Sequence, residues 1–377
     1  MQQPPVRPER GRKGYLDWLR GVGVLIMIEA HTLDSWTRLG DRVRPAYKWA
    51  IVLGGFGAPI FLFLAGIALA LAYGSRRRRG MSEEEATRRS WRRGLEVFAL
   101  AFLFRLQSLV ISGGGMRALL KVDILNVMGL AMLVTAAMWW IGRTWRGRTV
   151  ALVAATVLTA MLTPIMRETT ILDVLPHAVD AYLRPEAGRS TFTIFPWAGF
   201  LFAGAVAGLW LDSGTREQER HRNLVLLAAG SAIGVCAYGA SYLPPIYPHT
   251  SYWTSSPTFF FVRLGILLVL VPGAFAWSRA SEGWWRGWSP LQDFGVSSLF
   301  VYWIHVEMVY GVLSAPIHRA LSFEQVLVAM GLFAGLLFAL VMAKKRLGSR
   351  STSGRERGQR PGEKATVFAQ LRARPAP

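Results

Sequence analysis

The sequence predicts an all-α, polytopic integral membrane protein of about ten transmembrane helices with both termini cytoplasmic. Three observations carry that prediction. The 377 residues are 52% hydrophobic, with a mean hydropathy of +0.30. Near-continuous apolar runs of about 18 residues or more recur along the chain, as membrane-crossing helices require. Lys and Arg fall unevenly between the connections that join those runs. A soluble domain of this length would bury a core, but it would not repeat such runs.

The runs lie at roughly 15–33, 48–73, 95–111, 122–141, 150–166, 193–211, 224–243, 257–277, 291–312 and 323–343. The stretch before the first run, residues 1–13, is polar and basic. "AHTLDSW" after it has no small-x-small cleavage pattern, so the first run is expected to stay as a helix rather than be removed as a signal peptide. The connection 74–94 mixes "RRRR", "SEEEA" and "RRSWRR", and Ser82 before acidic residues predicts a helix cap and a short amphipathic surface helix. "FGAPIFLFLAGIALAL" and "FPWAGFLFAGAVAGLWL" are weakly alike, as small residues that let helices pack closely would make them. Two outer connections, "DVLPHAVDAYLRPEAGRS" and "PPIYPHTSYWTSSPT", read either as a mouth for a polar acceptor or as solvated links. A membrane domain is thus expected over 14–346. The Gly-, Ser- and Arg-rich segment 347–377 is expected to be a disordered cytoplasmic tail.

With the N-terminus inside, 30 Lys and Arg fall on the cytoplasmic side and 10 on the other. This is the positive-inside pattern. The net charge of +20 is therefore a topology signal with a weak attraction to anionic lipid, and nucleic acid is not an expected partner. Cys236 is the sole cysteine, which excludes a disulfide framework and a cysteine-based metal site.

The first run, "LDWLRGVGVLIMIEAHTLD", carries five ionisable residues in or beside an apolar segment. Arg20 and His31 are eleven steps apart, which on a helix is ~20° of rotation and ~16 Å of rise. Asp17, Arg20, His31 and Asp34 therefore form one stripe, while Glu29 points nearly the opposite way and needs a partner on another helix. Ionisable groups within a span tend to mark sites. Near the cytoplasmic end, Asp17 and Arg20 read equally well as a local ion pair with snorkelling. Ser298, Tyr302 and His305 recur at i, i+4 and i+7 in the ninth run. His305 suits either substrate positioning and oxyanion stabilisation or an interhelical hydrogen bond. Arg105, mid-way along the third run, is expected to pair with Glu29 or to line a path for substrate. Asp123 and Asn126, at i and i+3, suit sugar hydroxyls, and a helix-entry cap explains Asp123 nearly as well. His177, His249 and His318 lack ligand spacing, and no metal is expected.

"LDWLRGVGVLIMIEAHT" resembles the opening of the transmembrane acyltransferase superfamily, whose first helix carries an Arg-x10-His motif. "FGAPIFLFLAGIALALA", "VDILNVMGLAML", "FPWAGFLFAGAVAGL" and "GVSSLFVYWIHVEMVYG" resemble, in order, segments of one branch. That branch comprises the heparan-α-glucosaminide N-acetyltransferase catalytic domain and its bacterial relatives, and the resemblance spans roughly 13–312. It implies that His31 is catalytic and that Arg20 is the motif arginine. It also implies that acetyl-CoA or another acyl-CoA is the donor and an extracytoplasmic glycan the acceptor, with Arg20 holding CoA phosphates. The corresponding location is a cell membrane, the bacterial cytoplasmic membrane in particular. His31 as general base and His31 as acylated nucleophile both fit, and a homo-oligomer is left open. The rival reading is a multi-pass transporter or flippase using the same charges as a substrate or proton path.

Overall fold

The computed structural model describes residues 13–112, 119–212, 216–281 and 289–358. Among them the chain is helical, with isolated bridges joining Thr37 to Leu321 and Val122 to Ser190. In chain order the helices are α1 (Gly14–Trp36), α2 (Pro45–Gly54), α3 (Gly57–Arg78), α4 (Glu83–Ser112), α5 (Ile124–Ile141), α6 (Trp145–Glu168) and α7 (His177–Leu183). There follow α8 (Ile194–Asp212), α9 (Arg216–Ala240), α10 (Pro257–Ser281), α11 (Pro290–Val296), α12 (Ser298–Tyr310) and α13 (Phe323–Gly358).

Eight stretches of the described residues are long and apolar enough to cross a membrane, α2 and α3 together counting as one of them. The protein is an all-α polytopic membrane protein, and its perimeter presents apolar side chains such as Leu103, Leu158 and Leu332. Two of the ten expected spans differ in kind from these eight. The first is a continuous 23-residue helix whose charges keep it off the hydropathy count. The ninth is broken at Ser297 into α11 and α12, of 7 and 13 residues.

Two local expectations change. The surface helix expected over 74–94 is the start of α4, a single 30-residue helix. Ser82 does cap it, accepting from the Glu85 N–H at 3.1 Å. Acidic residues follow the cap, an arginine-rich stretch follows those, and the apolar run starts at Leu95 with no proline in between to stop the helix. The domain end expected at Arg346 falls inside α13, which continues to Gly358 because no proline interrupts it. The basic segment 1–12 and the rest of the tail, 359–377, lie outside the described residues.

Backbone contact through glycine sets the helix register. The two similar segments noted above are α3 and α8, and they pack against each other in the same direction. A Cβ on Gly66 would overlap the Leu201 carbonyl, and one on Gly204 the Phe63 carbonyl. α11 crosses the N-terminal half of α1 in the same manner. A Cβ on Gly21 would meet the Leu291 carbonyl, and one on Gly295 the Asp17 carbonyl. With no apolar driving force between helices in lipid, such close approach is what van der Waals packing exploits.

At the C-terminal end of α1 the chain is stitched to the start of α13. The Leu321 N–H donates to the Trp36 carbonyl at 3.0 Å, and the Phe323 N–H donates to Asp41 at 2.9 Å. That backbone N–H, helped by Arg38 and Arg44, holds the Asp41 carboxyl below the usual carboxylate range.

Candidate active site

α12 runs alongside the C-terminal half of α1 in the same direction. His31 meets His305, Asp34 meets Tyr310, and the Ser35 hydroxyl donates to the Val309 carbonyl at 2.9 Å. The α11 crossing below sets this register, since it fixes where the chain leaves α1 before turning at Ser297.

The centre is the histidine pair. His31 Nδ1 lies 2.8 Å from His305 Nε2, with the rings within 5° of parallel. His305 Nδ1 lies 2.9 Å from the Val301 carbonyl one turn earlier. A carbonyl offers only lone pairs, so Nδ1 of a neutral His305 carries its proton and its Nε2 accepts. His31 Nδ1 must then be the donor, which leaves the lone pair on His31 Nε2. One backbone carbonyl thereby sets the tautomers of both rings. His305 is fully buried at 0% exposure, whereas His31 is only half-buried, so His31 is the member a substrate can reach.

Behind the pair lies a network that gathers four of the residues picked out from the sequence. Tyr302, whose ring centroid is 5.8 Å from that of His305, donates to Asp123 Oδ2 at 3.2 Å. Arg105 donates to the same oxygen at 2.7 Å. Asp123 Oδ1 accepts from the Ile124 N–H at 2.6 Å, while Asn126 Oδ1 accepts from the Asp123 N–H at 2.9 Å. The two form a capping box at the start of α5, and Asn126 also donates to the Tyr182 hydroxyl at 3.2 Å. Both ends of the Asn126 amide are therefore engaged within the protein.

The expected pairing of Arg105 with Glu29 is replaced by this one. Arg105 reaches the cap of α5, whereas Glu29 sits on the far face of α1, buried beside Gly54 with its Oε2 unbonded among the described residues. Arg20 and Asp17 are not brought to the pair. They bond each other at 3.1 Å near the other end of α1, as one of their two readings held. Ser298 is the first residue of α12, half-buried and two turns before His305.

Beyond the pair, toward the C-terminal ends of α1 and α12, stand groups the sequence reading did not single out as a site. The Tyr310 ring meets His31 edge-on, with centroids 5.5 Å apart, and its hydroxyl donates to Asp34 Oδ2 at 3.0 Å. The Asp34 carboxylate is 58% exposed and has Arg42 3.8 Å away. Asp34 was visible in the stripe on α1. Tyr310, five residues past His305, had no periodic signal to mark it. Among the described residues no cluster of His, Cys, Asp and Glu has the make-up of a metal site.

These features define a polytopic membrane protein with a polar, tautomer-ordered centre inside its helical bundle. Residues 12–247 match the family described as heparan-alpha-glucosaminide N-acetyltransferase, catalytic, and the chain belongs to that family. Membership implies a membrane transferase of the acetyltransferase type. The match holds Arg20, His31, Arg105, Asp123 and Asn126. Ser298, Tyr302 and His305 lie beyond it. No curated protein matches the chain.

Proposed function

We propose that the protein transfers an acetyl or other short acyl group from cytoplasmic acyl-CoA to a hydroxyl or amine of a carbohydrate on the outer side. The observation that carries this reading is the ordered histidine pair, which leaves His31 Nε2 as a base within a membrane helix. In the reaction, His31 Nε2 takes the proton from the acceptor O–H or N–H as that atom attacks the thioester carbonyl. The tetrahedral adduct collapses, the C–S bond breaks, and the departing thiolate takes the proton back from the imidazolium. His305 holds the ring and, through Val301, its tautomer. Loss of such orientation by even 1 Å costs about 10²-fold. Arg20 is the proposed anchor for CoA phosphates. Its ~16 Å separation from His31 leaves room for an extended thiol arm between the two. Asp34 and Tyr310 are the first groups an acceptor approaching from outside would meet.

The proposed topology puts both termini in the cytoplasm of a bacterial cell membrane. The Lys and Arg count supports it, and so do the ion pairs Arg78 with Asp212 at 2.5 Å and Lys345 with Asp293 at 2.6 Å. Each ties together helix ends that a ten-span path places on the cytoplasmic side. Reporter fusions at Arg360 and near Pro185 should read opposite sides, and the same side for both would break the arrangement.

The test of function is acyl transfer from acetyl-CoA by purified protein in detergent, with His31→Gln beside the wild type. The variant keeps a hydrogen-bonding side chain but cannot titrate, and general-base loss predicts a fall of roughly 10²–10⁴-fold. Wild-type activity should also fall as the pH is lowered far enough to protonate the imidazole, because a protonated ring accepts nothing. Near-normal turnover in His31→Gln would return the pair to helix packing. A wild type that neither hydrolyses nor exchanges acetyl-CoA would favour the transporter reading.

A further inference from the structure

A cavity of about 870 Å³ opens between α9 and α10, outside the site described above. The two helices touch higher up at Gly230, Gly234 and Gly265, where a Cβ on Gly265 would stand 2.6 Å from the Gly234 Cα. Below that contact they part. The walls are apolar, with Leu224, Leu227, Val269 and Pro272, while Arg220 and Arg279 line the end away from the glycine contact. Leu224 and Leu227 are exposed, so the groove faces the hydrocarbon rather than the bundle interior. Gly273 is telling. A glycine inside a helix weakens it, and here a Cβ would meet nothing within 4 Å. The missing side chain serves no close packing and instead leaves the groove wider.

We propose that this groove binds an anionic phospholipid, with its phosphate at Arg220 and Arg279 and an acyl chain along Leu224, Leu227 and Val269. Guanidinium groups match phosphate oxygens in geometry as well as charge, and both arginines line the groove. Arg279 is also held over the Phe275 ring at 5.5 Å. Both arginines lie at the end of the bundle that carries the basic connections, where anionic headgroups are attracted. From the glycine contact at Gly265 to Arg279 the groove runs ~20 Å, about one leaflet with its headgroups. A partner helix crossing the full bilayer would not fit beneath that closure, whereas a lipid would.

The experiment compares thermal stabilisation of the purified full chain by phosphatidylglycerol and by phosphatidylcholine of the same acyl chains. The wild type should be stabilised by phosphatidylglycerol at lower concentration, with the shift following ligand over dissociation constant. Arg220→Ala with Arg279→Ala should raise the half-saturating concentration roughly 25-fold, at about fivefold per cation. Gly273→Leu fills the groove without touching the arginines, and should abolish the preference while leaving the lipid-free protein at least as stable. Equal response to the two lipids would overturn the proposal, as would a preference that survives both variants. Palmitoyl-CoA outcompeting phosphatidylglycerol would also overturn it, and would make the groove a donor site.

Discussion

α1 with α12 and α3 with α8 are both pairs of helices running in the same direction, yet they are joined by opposite means. Between α3 and α8, Gly66, Gly204 and Gly208 let backbones touch, and the buried surround is Phe63, Ile67, Leu201 and Ala205. Between α1 and α12 the contacts are His31 with His305, Asp34 with Tyr310, and Ser35 with the Val309 carbonyl. Glycine packing suffices to associate helices in lipid, and an interhelical hydrogen bond there averages only about 0.6 kcal/mol. Ionisable residues within a span are costly by comparison. The polar seam is therefore a poor device for assembly alone, and its ordering of proton positions is what the glycine seam has no means to supply.

That contrast breaks in different ways depending on which seam is altered. Gly204→Val should have the largest effect, because its Cβ would overlap a main-chain carbonyl that cannot move aside as a side chain can. The cost should exceed the ~1–3 kcal/mol of ordinary overpacking. Size-exclusion chromatography should show little monodisperse protein, and a well-behaved variant would mean that α3 and α8 separate without harm.

On the other seam, His305→Ala should leave the protein folded and lower kcat about 10²-fold through a misplaced His31. His305→Gln, whose Oε1 can accept from His31 Nδ1, should recover most of the loss. Equal damage in both, or a change in KM alone, would remove His305 from its positioning role.

Arg20→Ala sharpens the comparison within α1. It should weaken CoA binding in a well-folded protein while acyl transfer persists at saturating donor. Unchanged affinity would confine Arg20 to its bond with Asp17. The smallest effect is expected at Asp41, outside the membrane. Its carboxyl is held below its ordinary range by the Phe323 N–H, so the stability it contributes is present above the unfolded value of about 3.9 and is lost as pH falls through the folded value. Asp41→Asn should lower the melting temperature at neutral pH and flatten the acid limb of the pH profile. An unchanged profile would show that the cap is not coupled to folding.

What the sequence by itself determined is what depends on one segment at a time. Hydropathy scores how each run partitions into lipid, so the apolar helices were legible, and helical periodicity alone put Arg20, His31 and Asp34 on one stripe of α1. The same local logic picked out Asp123 and Asn126, for sugar hydroxyls or, at Asp123, for a helix cap, and Ser298, Tyr302 and His305 as a face. Tertiary structure decided the rest. His31 and His305 are 274 positions apart, and no periodicity reaches that far. Their meeting depends on how closely α11 crosses α1 at Gly21 and Gly295, and on the break at Ser297 that a hydropathy window averages away. Arg105 chose Asp123 over Glu29 for the same reason. A charge in a span takes whichever partner the packing brings within hydrogen-bond range, and packing is a property of helix pairs rather than of any one run of residues.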